Sequence, residues 1–186
     1  SLAREINFLD VSRNPGQFKG MHIATTYTTS CAVSATILTD RRIDHILRAY
    51  FKENYIQFWH NTNIAEQRAG VDIYAELDGG IIHAVDLKAC RTSVAKALNL
   101  EVYSVREERK LGYLLKQDSR CSHVLFVDAN GAWRMFRHET LAAALRRNFQ
   151  HWVGHFGVRI QRTRCSWRTS GEYSSSTIRV ATSWIR

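Results

Sequence analysis

The stretch that most constrains this chain is residues 67–89, which read Q-R-A-G-V-D-I-Y-A-E-L-D-G-G-I-I-H-A-V-D-L-K-A. Within it, two runs of alternating apolar and polar residues, 70–77 and 81–88, flank the short segment 78–80, Asp-Gly-Gly. A glycine-rich gap of this length between two β-type runs predicts a hairpin. The sequence therefore predicts two antiparallel neighbouring strands in the middle of the chain.

The odd length of the loop determines which side chains of the two strands face each other. With three residues in the loop, Leu77 pairs with Ile81, and counting outward along both strands places Asp72 opposite Asp86. Opposed Cβ atoms lie about 4.5–5.5 Å apart, and like charges at that distance are destabilising. A loop of two or four residues would instead place the two aspartates on opposite faces. The three-residue reading thus predicts a carboxylate pair that needs a cation between its members.

A lysine completes this pattern, because Lys88 shares the face of Asp86 two residues further along the strand. The resulting arrangement, Gly70-Val71-Asp72 on one strand and Val85-Asp86-Leu87-Lys88 on the next, resembles the motif of the PD-(D/E)XK nuclease superfamily. Val71 stands where that motif often has proline. The resemblance implies a phosphodiesterase that depends on Mg²⁺ or Mn²⁺, with catalytic residues Asp72, Asp86 and Lys88. Both aspartates would bind the metal, and Lys88 would lie near the attacking water and the scissile phosphate.

Elementary chemistry agrees with these roles, since hard carboxylate oxygens suit Mg²⁺ or Mn²⁺. An ammonium group beside them can stabilise charge that develops on a phosphate. The superfamily often adds a glutamate from its first helix to the metal site, which makes Glu53 a candidate ligand, with Glu66 as a competitor. In the alternative interpretation both glutamates are ordinary surface acids, and Asp86 and Lys88 form the solvated edge of a half-exposed hairpin.

The order of predicted elements gives the fold class. Between residues 40 and 128 the propensities and periodicities predict one helix, three strands, a second helix and a fourth strand. These elements cover residues 40–55, 70–77, 81–88, 100–105, 106–117 and 123–128. That order is the αβββαβ core of the PD-(D/E)XK superfamily, and we therefore expect an α/β restriction-endonuclease-like fold with a mixed central sheet.

Length and charge suggest how the remaining residues are organised. At 186 residues the chain is expected to form one domain, with an N-terminal extension over residues 1–39 and a basic α/β extension over residues 129–186. Residues 1–128 carry 16 Lys and Arg against 15 Asp and Glu, whereas residues 129–186 carry ten Arg against two Glu. Arginine-rich surfaces suit polyphosphates, because guanidinium contacts phosphate bidentately and displaces counterions. The predicted nucleic-acid-binding residues are Arg146, Arg147, Arg159, Arg162 and Arg164.

We expect DNA to be the partner, because the superfamily mostly cuts DNA, although RNA stays open. A homodimer is possible for enzymes that cut both strands. No apolar run is long enough for a membrane span, no secretory segment is recognisable, and the four cysteines form no C-x-x-C pair, so the sequence predicts a cytoplasmic protein. Two other functions stay open: a nucleic-acid-binding module of the same fold that does not cut, and a basic structural or interaction protein.

Overall fold

A computed structural model of the chain describes residues 25–26, 34–90, 93–95, 97–105, 110–156, 158–166 and 172–183. The described residues form a mixed α/β structure with two five-stranded sheets. The mixed α/β class with a mixed sheet is thereby confirmed.

The first sheet contains the predicted hairpin. Its strands are β2 (Tyr55–His60), β3 (Ile73–Leu77), β4 (Ile81–Cys90), β7 (His123–Asp128) and β8 (Trp133–Arg137), in that spatial order. Neighbouring strands are antiparallel except for β4 and β7, which are parallel.

The second sheet has the order β1-β9-β10-β5-β6. Its strands are β1 (Thr25–Thr26), β5 (Ala97–Val105), β6 (Lys110–Leu111), β9 (Val158–Ser166) and β10 (Glu172–Ser183). Because β10 pairs with β5 while β8 belongs to the first sheet, the last third of the chain contributes to both sheets. A separate C-terminal extension over residues 129–186 is therefore not confirmed.

The two faces of the first sheet are covered by different elements. Helix α1 (Asp40–Phe51) buries Ile43, Ile46 and Leu47 against one face, because these residues recur at helical spacing. On the opposite face, Val124 and Phe126 pack with residues of β5 and with helix α3 (His138–Phe156). Because strand residues alternate between faces, Asp86 belongs to the second face, the one beside β5 and α3.

Three predicted elements differ from the structure. Residues 56–60, predicted as part of an irregular connection after the helix, lie in the edge strand β2, which begins at Tyr55 and whose register shifts between Tyr55 and Gln57. That irregularity breaks the alternation with a period of two, so the strand is hard to recognise. The predicted third strand, now β5, pairs with β10 in the second sheet, a partner about 80 residues further along the chain.

The third difference concerns residues 106–117, which were predicted to form the second helix of the αβββαβ order. The described part of this segment is not helical. In its described part, residues 110–117, the chain forms strand β6 followed by turns. Gly112 donates a backbone hydrogen bond to the Val102 carbonyl, and a Cβ atom at this position would collide with the Glu101 backbone. Pairing with β5 thus outweighs the helical spacing of Leu111, Leu114 and Leu115, on which the predicted helix rests.

A pair of histidines is packed at the beginning of β7. The hydroxyl of Ser122 lies 3.0 Å from Nδ1 of His123 and 3.4 Å from Nδ1 of His83, and the Phe51 ring stacks on His83. Burial, reinforced by His83 and Arg137, lowers the pKa of His123 to about 4. Burial and Arg137 also lower the pKa of His83. The folded protein therefore keeps the His123 imidazole neutral well below the pKa of an unfolded histidine, which is 6.5, and the pKa of His83 is shifted in the same direction.

Because the folded state binds fewer protons than the unfolded state in this range, His123 should make the protein less stable as pH falls from about 6.5 towards 4. We predict that the free energy of unfolding of wild type falls more steeply between pH 7.5 and 4.5 than that of His123→Phe, measured by urea denaturation. His45→Gln, which changes an exposed histidine, should keep the wild-type slope. Equal slopes in wild type and His123→Phe would contradict this role of His123.

Candidate active site

The hairpin has the predicted register. Leu77 pairs with Ile81, and Ile73 pairs with Val85, across a turn at Asp78–Gly80. Gly79 and Gly80 both have positive φ, and the Asp78 carboxylate accepts the Gly79 backbone N–H at 2.8 Å. Glycine suits both positions because side chains with a Cβ atom disfavour this conformation. The three-residue turn therefore sets the parity of the two strands.

Asp72 lies one residue before β3 and continues its register towards Asp86. Its backbone N–H donates to the Val85 carbonyl at 3.0 Å, and its Oδ2 accepts the Leu87 backbone N–H at 2.7 Å. The second bond holds the Asp72 carboxylate over β4 beside Asp86. The structure thus brings together the two predicted metal ligands.

Asp86 is the most unusual side chain in the hairpin, because it is only 1% exposed. Its Oδ1 accepts the Lys88 ammonium at 2.6 Å, while its Oδ2 has no hydrogen-bond partner among the described residues. Burial raises the pKa of Asp86 to about 7, with Lys88 opposing the shift and the nearby Asp72 carboxylate adding to it. The interpretation of Asp86 as the solvated edge of a half-exposed hairpin is therefore wrong.

A second buried aspartate shows what a structural carboxylate looks like in this fold. Asp128, also 1% exposed, accepts backbone N–H groups from Val94, Asn130 and Ala132 at 2.9–3.0 Å. Its charge is therefore compensated by the main chain. Asp86 lacks such donors, so its burial needs a different compensation.

Lys88 supplies part of that compensation. Burial would lower its pKa, but the carboxylates of Asp86, Asp72 and Glu101 outweigh burial and raise it. The ammonium lies 4.4 Å from the centroid of the Tyr113 ring, a cation–π arrangement that orients it, and 31% of the side chain stays exposed. The site therefore presents a permanent positive charge beside two carboxylates.

Gly70 lies close behind the carboxylate pair. Its φ of +88° favours glycine, and a Cβ atom there would lie 3.8 Å from Ser119 Oγ, 3.9 Å from Cys121 Sγ and 4.0 Å from Asp86 Oδ2. Burial raises the pKa of the Cys121 thiol to about 11, so the thiol is neutral and is not an activated nucleophile. Residues 119–121 thus form one wall of the site without reactive chemistry of their own.

Cations at the rim of this wall are functional candidates that sequence reasoning missed. The Lys116 ammonium donates to the Arg68 carbonyl at 3.0 Å, and the Arg120 backbone N–H donates to the Ala69 carbonyl at 3.0 Å. The Arg68 and Arg120 side chains are exposed. These three residues form a basic rim beside Gly70. Residues 68 and 116–120 are far apart in the sequence, so no local pattern could have predicted the rim.

Glu53 and Glu66, the two candidates for a third carboxylate ligand, lie at different distances from Asp72 and Asp86. Glu53 lies exposed in a short 3-10 helix, Lys52–Asn54, directly before Tyr55. Tyr55 pairs with Leu77 at the turn end of the hairpin, whereas Asp72 lies beyond the other end, about 16 Å away at roughly 3.3 Å per residue. Glu53 therefore does not join the carboxylate pair.

Glu66 lies nearer to the site, on the short helix α2 (Ile64–Arg68). Its carboxylate accepts the Tyr74 hydroxyl at 2.7 Å, and this hydrogen bond raises the pKa of Tyr74. Among the described residues, no three or more His, Cys, Asp or Glu side chains are grouped to hold a metal ion. Asp72 and Asp86 are thus the two carboxylates that the hairpin offers to a cation.

The predicted arginine surface is described only in part. Arg146 and Arg147 are exposed on α3. Arg159, Arg162 and Arg164 lie on β9, opposite Arg179, Ser176 and Ser174 of β10, but their side chains lie outside the described residues.

Comparisons of the chain with protein-family models, with curated proteins and with solved structures found no match. Function is therefore inferred from the geometry of the site. None of the helices in the described part of the chain combines the length and apolar character that crossing a membrane requires.

The electrostatics of the site can be tested without knowledge of a substrate. Lys88→Met removes the cation from a buried carboxylate and should lower the free energy of unfolding by about 2 kcal/mol at pH 8, less than for a fully buried pair because 31% of the Lys88 side chain stays exposed. The loss should be smaller at pH 6. Without Lys88 the pKa of Asp86 rises further, and protonation then relieves the buried charge.

Lys116→Met is the matched control, since the Lys116 ammonium contacts a backbone carbonyl and no carboxylate among the residues that the structure describes. Its effect should stay within about 0.5 kcal/mol at both pH values. A loss for Lys88→Met that does not change with pH would contradict the coupling between Lys88 and Asp86.

Proposed function

We propose that this protein is a metal-dependent nuclease that hydrolyses phosphodiester bonds of DNA at a site formed by Asp72, Asp86 and Lys88. The observation that carries the proposal is the buried carboxylate of Asp86, which has an oxygen without a hydrogen-bond partner beside a second carboxylate and a charged lysine. A like-charge pair held in this way is costly for a structural role. It is useful where a cation and an anionic substrate must meet.

The strand arrangement supports the resemblance to the PD-(D/E)XK superfamily. Helix α1 precedes the antiparallel strands β2, β3 and β4, and a crossover leads to β7, parallel to β4. The two parts of the motif lie on either side of the hairpin turn, with Asp72 directly before β3 and with Asp86 and Lys88 on β4. The described part of the crossover contains strands β5 and β6 where that pattern has a helix, so this segment departs from it.

The residues of the site fit a hard divalent cation. Mg²⁺ is commonly held by one or two carboxylates together with water and substrate phosphate oxygens, so a third protein ligand is not required. Oδ2 of Asp86, and the Asp72 oxygen that does not accept the Leu87 N–H, are the donors that would hold Mg²⁺ or Mn²⁺. When bound, such an ion supplies Lewis-acid stabilisation of phosphate charge and lowers the pKa of water.

The other groups of the chain position the substrate. Hydrolysis adds a water oxygen to phosphorus and breaks one P–O ester bond, and negative charge grows on the phosphate oxygens in between. The Lys88 ammonium, oriented by Asp86 and the Tyr113 ring, stabilises this charge more in the transition state than in the ground state. Because 31% of the Lys88 side chain is exposed, a phosphate can approach this residue from solvent.

Cleavage by variants tests the catalytic roles. Asp86→Asn keeps the shape of the side chain but removes a negative charge from the cation site, so DNA cleavage with Mg²⁺ or Mn²⁺ should fall by about a hundredfold or more. Lys88→Ala should lower turnover comparably. Asp78→Asn, in the exposed turn of the same hairpin, should cleave like wild type.

A second measurement separates metal binding from turnover. Mn²⁺ should raise the midpoint of thermal unfolding of wild type and of Lys88→Ala, because both keep the two carboxylates and a bound ligand stabilises the folded state. It should not raise the midpoint of Asp86→Asn, which lacks one of the two carboxylates. Cleavage that survives both Asp86→Asn and Lys88→Ala would show that the hairpin is scaffold. DNA binding by wild type without metal-dependent cleavage would favour the non-cleaving binding module.

Binding to the DNA backbone is proposed for two groups of cations, the basic rim and the arginines of the last third. Replacing Lys116 and Arg120 together by Ala should weaken DNA binding at low salt, and so should replacing Arg159, Arg162 and Arg164. In both cases the dependence of log Kd on log salt should flatten by up to about 0.9 per lost phosphate contact.

Arg41→Ala provides the control, because Arg41 is an exposed residue of α1, which covers the face of the sheet opposite the carboxylates. Its salt dependence should match wild type. An unchanged salt dependence in the double variant would remove the rim from the DNA interface, and in the triple variant it would remove the β9 arginines.

A further inference from the structure

An aromatic pair lies on the same face of the first sheet as the carboxylates. Trp59 on β2 pairs with Tyr74 on β3, and Tyr74 pairs with Ala84 on β4. Directly opposed residues share a face, as do residues two apart on one strand, so Trp59 and Tyr74 lie on the side of Asp72 and Asp86. The ring centroids of Trp59 and Tyr74 are 5.7 Å apart, with planes inclined by 32°.

Trp59 is exposed although it is large and aromatic. It is 39% exposed, and the other large hydrophobic side chains exposed in the described part of the chain are four isoleucines, which have no aromatic face. Tyr74 is half-buried, and its hydroxyl is held by Glu66 at 2.7 Å. Trp59 therefore rests against a fixed neighbour and presents a preorganised flat surface.

The position of this surface relative to the carboxylates is set by the register. Trp59 is displaced from Asp72 by two residues along the strand, about 6.6 Å, and by one strand spacing, about 4.8 Å, hence about 8 Å in total. This is the length scale of one nucleotide. A phosphate held beside the carboxylates by Lys88 thus allows the base of an adjacent nucleotide to reach Trp59.

Charge near the aromatic pair fits the same ligand. The positive charge of Arg120 acts on Tyr74, which places this cation of the basic rim close to the pair. An exposed aromatic face next to cations is the combination by which proteins bind single-stranded nucleic acid, where bases stack and phosphates pair with cations. Bases inside a duplex are already stacked on each other and offer no free face.

We infer that Trp59, braced by Tyr74, is a stacking platform for an unpaired base, and that the nucleic acid is engaged at the site as a single strand or at a frayed end. The inference takes nucleic acid as the substrate class from the proposed function, and it adds that the nucleic acid is unpaired where it contacts the site. An aliphatic or aromatic side chain of a protein partner is the competing occupant of this surface.

The experiment compares binding of two single-stranded oligonucleotides of equal length, one carrying bases and one fully abasic, by fluorescence anisotropy in EDTA. Trp59→Ala should bind the base-carrying strand about tenfold more weakly than wild type, as expected for loss of one stacked base. Trp59→Phe should keep most of the affinity. Trp59→Ala, Trp59→Phe and wild type should all bind the abasic strand with the same affinity.

Ile82→Ala is the control, since Ile82 is 55% exposed on the same face, opposite Glu76. It should bind both strands within about twofold of wild type, as surface changes usually do. A duplex closed at both ends by linkers should be bound equally by wild type and Trp59→Ala. Thermal unfolding of each variant verifies that it is folded, and Trp59→Leu, which keeps apolar bulk but has no aromatic face, takes the place of Trp59→Ala in every comparison if Trp59→Ala unfolds.

Equal affinity of wild type, Trp59→Ala and Trp59→Phe for the base-carrying strand would overturn the platform. An equal loss of affinity for the abasic strand in Trp59→Ala would also overturn it. If wild type binds neither strand, the platform is likewise overturned, and a protein partner becomes the occupant of this surface. An equal loss on the closed duplex would overturn the requirement for an unpaired base. If no protein cleaves DNA but the base-dependent loss persists, the nuclease proposal fails and the platform stands.

Discussion

The site depends on one electrostatic constraint, the burial of the Asp86 carboxylate between Asp72 and Lys88. The three-residue turn at Asp78–Gly80 fixes the parity of β3 and β4 and thereby directs both aspartates to one face. Burial and the second carboxylate raise the pKa of Asp86 to about 7, and Lys88 opposes this shift. The structure therefore keeps a carboxylate close to its neutralisation point, where an added cation strongly favours the charged form.

The two faces of the hairpin divide structural and chemical roles. One face is packed by α1 through aliphatic residues, which holds the strands in position. The other face carries the carboxylates, Lys88 and the Trp59–Tyr74 pair, and it is bordered by Gly70, residues 119–121 and the basic rim. Asp128 shows that the same fold can bury an aspartate with full backbone compensation, so the missing donors at Asp86 are a local property of the site.

Local patterns predicted the parts of the structure that local interactions decide. The turn, the register of the hairpin, the helix beginning at Asp40 and the strand His123–Asp128 all follow from turn chemistry and periodicity. The bulged strand β2, the pairing of β5 with β10 and the loss of the helix near Gly112 depend on distant partners, which the sequence pattern does not contain. The rim cations Lys116 and Arg120 and the exposure of Trp59 were missed for the same reason. The prediction of Glu53 as a metal ligand depends only on its position near the end of the first helix. The pairing of β2 with β3 puts Glu53 at the turn end of the hairpin, far from Asp72.

The central claim is that Asp72 and Asp86 together hold a divalent cation. The most direct measurement is a crystal structure of the protein grown with Mn²⁺, with the ion located by its anomalous scattering. The account predicts one ion in contact with Asp86 Oδ2 and a carboxylate oxygen of Asp72, and no ion at that place in crystals of Asp86→Asn. Crystals in which wild type and Asp86→Asn both lack an ion there, or in which the two carboxylates lie on opposite faces of the sheet, would contradict it.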